Sequence, residues 1–383
     1  MNRAVRSLLA AAACAGILSA VPARADDDAL RKELDALKAR LEQVEKELAE
    51  RKKAEAAAAQ KPAPNADALK TRNGSRVQIS GFAELRMTNI GSPTGDRVKN
   101  GDLDFQVTRF RPRINYTLDD HFLASLQLNA STRSAGAASV NTRDAWLEYH
   151  NAGYFARFGQ QKLPFGFEVY RQGDETSPYL ERARVFGMVF PDERDIGLVV
   201  GTTPRNPRAA TFHLGVVNGD GINRSDGDAD KSVAGKVELP VAKSTTVGAS
   251  FYTGTSTVNR PAPRASEFRS LTKQALGAEY RGRYGRFDLR AEYLWGHAFG
   301  ADLNGGYGYL GYDLGRIGNL FVRHDVFDPN EDAARDYWAR TSLGWYKDFT
   351  KQFRLTAEYD LVRNKLTPTS NDNTFGVEFQ ANF

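Results

Sequence analysis

The chain of 383 residues has a single cysteine, Cys14, which lies in an apolar run near the start. Arg3 and Arg6 precede the run and Ala23-Arg24-Ala25 follows it, which is the pattern of a secretory signal over residues 1–25. A lipoprotein signal acylated at Cys14 is the alternative, but the apolar run continues past this residue. Cleavage after Ala25 would leave no cysteine, and therefore no disulfide, thiolate metal site or cysteine nucleophile.

Beyond the signal, the chain also lacks an apolar run as long as a transmembrane helix, and its mean hydropathy is −0.51. The formal net charge of +5 would fall to +2 on cleavage, because the signal carries three arginines and no acid. This small excess gives no reason to expect a nucleic-acid partner. The five histidines occur without an H-E-x-x-H, phosphate-cradling glycine loop or G-x-S-x-G pattern, so we expect no enzyme, metal site or cofactor.

Residues 26–55 carry apolar side chains at heptad spacing on an otherwise charged segment. Leucine or valine recurs at alternating spacings of four and three from Leu30 to Leu48, which predicts a short α-helical coiled coil. So short a coiled coil is marginal alone, and a single amphipathic helix on an apolar surface is the alternative. Residues 56–75 are predicted to be a linker. In an exported chain this N-terminal part would lie in the periplasm, where contact with the cell wall is one hypothesis.

Residues 76–383 contain sixteen segments in which apolar and polar side chains alternate. From Phe353 to Leu361, for example, the apolar side chains at every second position oppose Arg354, Thr356, Glu358 and Asp360. A strand turns successive side chains to opposite faces, so each segment has one apolar face and one polar face. Tight turns alternate with mostly longer polar connections, as they do at the two rims of an outer-membrane barrel.

We therefore predict an all-β fold, a sixteen-stranded antiparallel transmembrane β-barrel over residues 76–383. A soluble β-sandwich or β-repeat protein is the alternative. Aromatic residues near the strand ends, such as Tyr149, Tyr280 and Trp345, favour the barrel, because they match the girdle found at membrane interfaces.

The longest connection, residues 162–195, follows the fifth predicted strand and is predicted to fold into the lumen and narrow it. Basic and acidic side chains are both frequent in it, so the charge of this loop alone does not predict a preference for anions. Its candidate functional residues are Lys162, Arg171, Glu181, Arg182, Arg184 and Arg194.

A column of arginines follows one face of the second predicted strand. Arg109, Arg111 and Arg113 alternate with Phe110 and Pro112, so we expect them on the lumen wall, about 7 Å apart. Parity places further arginines inward: Arg157, Arg290, Arg323 and Arg340. Guanidinium groups stay charged and bind oxyanions in bidentate fashion, so one hypothesis is guidance of anions. The alternative is that they brace the wall by pairing with lumen carboxylates.

Several segments carry a resemblance to a known family. They are Gly159 to Gly166, Tyr179 to Arg182, Pro191 to Gly197, Asn218 to Gly221, and Val322 to Asp325. With these segments the chain resembles the phosphate-selective (O and P type) outer-membrane porins over essentially all of residues 76–383. The resemblance implies a sixteen-stranded barrel, usually trimeric, whose third loop folds into the pore.

The resemblance also implies roles for individual residues. It assigns an anion-guiding ladder to Arg109, Arg111 and Arg113, and it assigns loop anchoring to Glu181, Arg182 and Arg194. The phosphate-binding members of the family are expected to have a lysine cluster in the constriction loop. Here Lys162, at the edge of the loop, is its only lysine.

The function expected from the sequence is passive diffusion of small hydrophilic solutes, with anions such as phosphate favoured, through a homotrimeric porin among outer-membrane lipids. One alternative is a general porin without selectivity. Another is a structural protein in which the coiled coil tethers the outer membrane to the cell wall and the barrel serves as an anchor.

Overall fold

The computed structural model describes residues 75–89, 103–132, 139–227, 229–256, 271–333, 337–364 and 373–383, together with residues 35, 39, 40, 42, 43, 69 and 70. The chain divides into two compact units, Met1–Asn65 and Ala66–Phe383. In the first unit the five described residues are helical. The predicted signal peptide and the rest of the predicted coiled coil lie outside the described residues, as does most of the linker, so these assignments stay predictions.

Within the described part of the second unit, sixteen antiparallel strands form a closed barrel. In chain order they are β1 (Arg76–Thr88), β2 (Asp104–Thr117), β3 (Phe122–Ser131), β4 (Ser139–Asn151), β5 (Tyr154–Lys162), β6 (Arg194–Thr202), β7 (Thr211–Val217), β8 (Ser232–Ala242), β9 (Thr245–Ser256), β10 (Leu271–Tyr284), β11 (Phe287–Ala298), β12 (Ala301–Asp313), β13 (Asn319–Asp328), β14 (Trp338–Asp348), β15 (Phe353–Asn364) and β16 (Thr374–Asn382). A two-residue strand, Leu69–Lys70, pairs with Val77 and Arg76 of β1. The predicted fold class is thereby confirmed.

The barrel closes where the last strand pairs with the first. Phe379 of β16 lies opposite Leu85 of β1. Beyond the end of β16, the Phe383 N–H donates to the Gly81 carbonyl (2.9 Å), and the Gly81 N–H donates to the Phe383 carbonyl (2.8 Å). Closure satisfies the backbone groups that an open sheet would leave unpaired at its edges, which is the condition for a β-structure in a membrane.

The two faces of the strands differ as the alternation predicts. Outward-facing Phe105, Phe158 and Leu276 are 74%, 66% and 63% exposed, whereas inward-facing Glu84 and Arg323 are buried. So wide an apolar outer surface is suited to contact with lipid. Among the described residues, no helix is long and apolar enough to cross a membrane.

Seven short connections lie at one rim of the barrel, which we call the turn rim. They join β2 to β3, β4 to β5, β6 to β7, β8 to β9, β10 to β11, β12 to β13 and β14 to β15. The opposite rim, the loop rim, bears the other connections, several of which lie partly outside the described residues.

The connection between β5 and β6 is folded into the barrel, and we call residues 163–193 the inner loop. It contains a π-helical turn (Gly166–Arg171), a 3₁₀ turn (Asp174–Thr176), the helix α1 (Arg184–Val189) and a second 3₁₀ turn (Pro191–Glu193). Its apolar side chains pack on the inner wall formed by β9 to β14, where Phe186 contacts Tyr307 and Phe190 contacts Tyr252. The main hydrophobic core therefore lies inside the barrel and fixes this loop to one side of the lumen.

Two β-bulges break the strict alternation of side chains. In β2 the register shifts opposite Glu84 and Leu85, so Thr108 and Arg109 both lie on the inner side. In β4 the register shifts opposite Gln127 and Leu128, so Arg143 joins Asp144 on the inner side. A bulge adds one residue to one strand and re-aims its side chains, so each bulge directs extra polar groups into the lumen.

Candidate functional site in the barrel lumen

The structure places the arginine column of β2 on the inner wall, and each of its members pairs with a carboxylate from another element. Arg109 pairs with Glu84 of β1, and its Nε lies 3.5 Å from Asp174 of the inner loop. Arg111 pairs with the same Asp174. Arg113 Nη2 donates to Asp144 Oδ2 of β4 at 2.8 Å. The three carboxylates thus come from β1, β4 and the inner loop.

The inner loop reaches this wall through its charged residues. Arg182 Nη2 lies 2.9 Å from Asp174 Oδ1, and Arg182 also pairs with Glu193. At the end of the loop, Arg194 Nε donates to Asp144 Oδ1 at 2.7 Å. Thus the apolar side chains of the loop pack on one half of the barrel, and Asp174 contacts the opposite half.

These contacts join into one ion-pair network. Its cations are Arg109, Arg111, Arg113, Arg143, Lys162, Arg182 and Arg194, and its carboxylates are Glu84, Asp144, Asp174, Asp192 and Glu193. Seven cations against five anions give this set of described residues a net charge of +2 when all are ionised. A charge imbalance of this sign at the narrowed section of a lumen attracts anions and repels cations.

Asp174 is the central carboxylate of the network, since three guanidinium groups surround it. Burial alone would raise the pKa of Asp174, but attraction from Arg109, Arg182 and Arg111 outweighs burial and holds this pKa well below its ordinary value of 3.8. The carboxylate is therefore ionised at neutral pH and joins the loop to the wall by charge-assisted hydrogen bonds.

The members of the network differ in their access to water. The side chain of Arg113 is 29% exposed, that of Lys162 18% and that of Arg182 15%, whereas Arg143 and Arg194 are each 3% exposed. The first three can therefore meet a solute, and the last two act on it only through their field.

The other predicted inward arginines also face carboxylates, but elsewhere in the barrel. Arg157 Nη2 donates to Glu148 at 2.6 Å, Arg290 Nη2 to Asp288 at 2.7 Å, and Arg340 Nη2 to Asp325 at 2.7 Å. In the inner loop, Arg171 pairs with Glu238, Glu181 accepts from Arg86 at 2.6 Å, and Arg184 lies 5.1 Å from the centre of the Trp338 ring. The structure therefore does not bring all the sequence-predicted residues into one site.

Arg323 holds the inner loop in place. Its guanidinium lies between two aromatic rings, 3.9 Å from the centre of Tyr179 and 4.4 Å from that of Tyr307. It donates to Glu168 at 2.9 Å and to the Glu181 carbonyl at 2.8 Å. With every one of these groups buried or nearly so, Arg323 is an anchor for the loop, away from the ion-pair network.

The sequence analysis missed several inward cations, among them Arg143, Arg86 and Lys236. Arg143 shares parity with the outward-facing Leu147 and Tyr149, and only the bulge in β4 moves it inside. Arg86, buried between Glu181 and Glu378, shares the face of β1 that carries Glu84, so parity could have identified it. Lys236 likewise shares the inner face of β8 with Glu238, and it pairs with Glu279.

No family model matches this chain, and no curated protein does either. Solved structures do: OmpT of Vibrio cholerae in its trimer form matches with a TM-score of 0.61 and 13% identity over 81% of this chain and 99% of that one. An anion-selective porin of Comamonas acidovorans matches at 0.58 and 13%, over 81% of this chain and 100% of that one. The outer-membrane channel DcaP of Acinetobacter baumannii matches at 0.57 and 12%, over 82% and 99%. At these identities the likeness establishes the fold, that of outer-membrane porins and channels.

Proposed function

We propose that this protein is a porin of the bacterial outer membrane that lets small hydrophilic solutes diffuse passively and favours anions. The observation that carries the proposal is the ion-pair network where the inner loop meets the wall of β2, in which seven basic side chains face five carboxylates. The similar structures include an outer-membrane protein in a trimer form and an anion-selective porin, which supports a homotrimer and an anionic solute.

Selection would rest on two physical effects. The inner loop fills part of the lumen and excludes large solutes by size. The field of the network acts on what passes beside it. Arg113 is the most accessible arginine of the column, and its ion pair with Asp144 leaves other N–H donors of its guanidinium for water or a passing oxyanion.

Phosphate is the narrower form of this proposal, and it rests on the resemblance to the phosphate-selective porins. The arginines of the network support phosphate as the solute, because the geometry of a guanidinium group matches that of phosphate oxygens. The single lysine of the loop segment argues against strong selectivity, because Lys162 Nζ lies 3.7 Å from Glu193 Oε2 within the network. Small anions as a class are therefore the better supported solute.

The test is the reversal potential of single channels in a planar bilayer under a gradient of potassium chloride, followed by a titration with phosphate. The wild-type protein should reverse in the direction of chloride permeation. Replacing Arg109, Arg111 and Arg113 together by glutamine should remove that preference, and replacing all three by lysine should largely keep it. Arg316→Gln, an exposed arginine in a turn of the turn rim, is the matched control.

A second candidate function, the unselective general porin, is favoured by one specific observation. Every arginine predicted to face the lumen has a carboxylate partner among the described residues, as wall-bracing arginines would. Equal permeation of both ions in wild type, unchanged in the glutamine variant, would establish that candidate. An absence of conductance would instead favour the structural anchor.

A further inference from the structure

A second cluster of cationic and hydroxyl groups lies apart from the ion-pair network, on the inner wall near the turn rim. There the ends of β10 to β14 enclose a cavity of about 70 Å³. The residues of its lining that matter for its chemistry are Arg283, Arg286, Asp288, Tyr309, Gly311 and Asn319. We call this the rim cavity.

The two arginines of the rim cavity are exposed at the turn rim. Neither Arg283 nor Arg286 has an ion-pair or hydrogen-bond partner for its side chain among the residues that the structure describes. The two carboxylates of the lining are already engaged: Asp288 pairs with Arg290, and Asp313 accepts the Gly315 N–H at 2.7 Å. Neither carboxylate pairs with Arg283 or Arg286, so the donors of these two guanidinium groups remain available to a ligand.

The buried hydroxyl of Tyr309 is a further hydrogen-bond donor of the rim cavity. Tyr309 is 3% exposed, and its hydroxyl has no hydrogen-bond partner in the described part of the chain. A buried hydroxyl without a partner costs free energy, so a water molecule or a ligand is expected to bind it. A Cβ added at Gly311 would lie 2.7 Å from this hydroxyl oxygen, so the absence of a side chain there keeps the space in front of it open.

We infer that the rim cavity is a binding site for a small oxyanion of the phosphate or sulfate class. Two guanidinium groups and one tyrosine hydroxyl supply hydrogen-bond donors to such an anion, and the cavity volume exceeds the roughly 10–15 Å³ that a single water requires. Arg283 and Tyr309 face the lumen. The ligand therefore reaches the cavity through the water-filled lumen and binds on the turn-rim side of the inner loop. The inference rests on the proposed function only in requiring that anions enter the lumen.

The inference can be tested by isothermal titration calorimetry. Inorganic phosphate is titrated at low salt into the purified full-length protein in detergent. Arg283→Gln/Arg286→Gln should weaken the affinity at least tenfold. Tyr309→Phe and Gly311→Ala, which keep every charge, should each weaken it severalfold, the first by removing a donor and the second by filling the cavity. Arg316→Gln, on the same rim but outside the lining, should leave it unchanged.

Two results would overturn the inference. One is phosphate binding that survives all three cavity variants but disappears when Arg109, Arg111 and Arg113 are glutamine. The other is the absence of any phosphate binding by the wild-type protein. Displacement of phosphate by short-chain phosphatidylglycerol would assign the site to a lipid head group instead of a free anion. The cavity variants leave the ion-pair network intact and should therefore keep the anion-directed reversal potential. The reversal potential thus tests the proposed function, and the phosphate affinity tests the rim cavity, so failure of one can be distinguished from failure of the other.

Discussion

Neutralising Asp174 should make the channel more selective for anions. In Asp174→Asn the charge of the ion-pair network rises from +2 to +3, while its arginines keep partners: Arg109 still has Glu84, and Arg111 Nε still donates to Asn129 at 2.7 Å. Asparagine is close to isosteric with aspartate, so the inner loop should keep its position through its apolar core.

The size of the effect follows from Coulomb's law. One charge about 7 Å from a permeating ion contributes about 0.6 kcal/mol in a water-like dielectric, and screening at about 0.1 M salt halves this. Anion and cation are affected with opposite sign, so their permeability ratio changes by about 0.6 kcal/mol, which is roughly threefold. At about 1 M salt the Debye length is near 3 Å, and the effect should nearly vanish.

The assay is the reversal potential of Asp174→Asn and wild-type channels under the same potassium chloride gradient, at low and at high mean salt. Asp332→Asn, in the exposed connection between β13 and β14, controls for a charge change far from the network. A permeability ratio that stays constant at low salt, or shifts toward potassium with conductance retained, would refute the electrostatic role of the network.

Three further predictions concern the anchor, the closure of the barrel and pH. Arg323→Met should lower the free energy of unfolding by about 3–5 kcal/mol, since it leaves buried Glu168 without its cation; urea titration in micelles, with Arg316→Met as control, measures this. Gly81→Val should lower the temperature at which the barrel unfolds on a denaturing gel, because a Cβ there meets the Arg111 carbonyl at 2.6 Å and the Phe383 ring at 2.8 Å; Gly308→Val, with open space around it, should not. Because the pKa of Asp174 is depressed, its stabilising contribution is present above its ordinary value of 3.8 and is lost only as pH falls through the lower folded value. The difference in ion selectivity between wild type and Asp174→Asn should therefore be the same at pH 7 and at about pH 4.5, and a difference that disappears over this range would contradict that assignment.

The strands were predictable from sequence because lipid and water impose opposite demands on alternate side chains. The predicted barrel begins at residue 76, as β1 does, and the predicted alternating segment from Phe353 to Leu361 lies within β15. The residues that depart from the strict alternation of inward and outward side chains were not predictable. The bulge that turns Arg143 inward depends on an extra residue relative to β3, which the sequence of β4 alone does not reveal.

The carboxylate partners of the arginines were harder to predict than the arginines themselves. The partner of Arg111 is Asp174, 63 residues further along the chain, and that of Arg323 is Glu168, 155 residues away. Such pairs depend on how the inner loop crosses the lumen, and that path is set by the packing of Phe186 and Phe190 on the wall. Periodicity within one strand contains no information on any of these contacts.

The pairing of β16 with β1 also has a consequence for the order of assembly. The contacts that close the barrel join residues near 81 to residues near 383, so the first barrel strand to be synthesised has to wait for the last. Until then both strands present unpaired backbone groups, which other chains could bind. A cell that makes this protein therefore needs to shield a nearly complete sheet during export, and closure by the final strand marks the moment at which that protection can end.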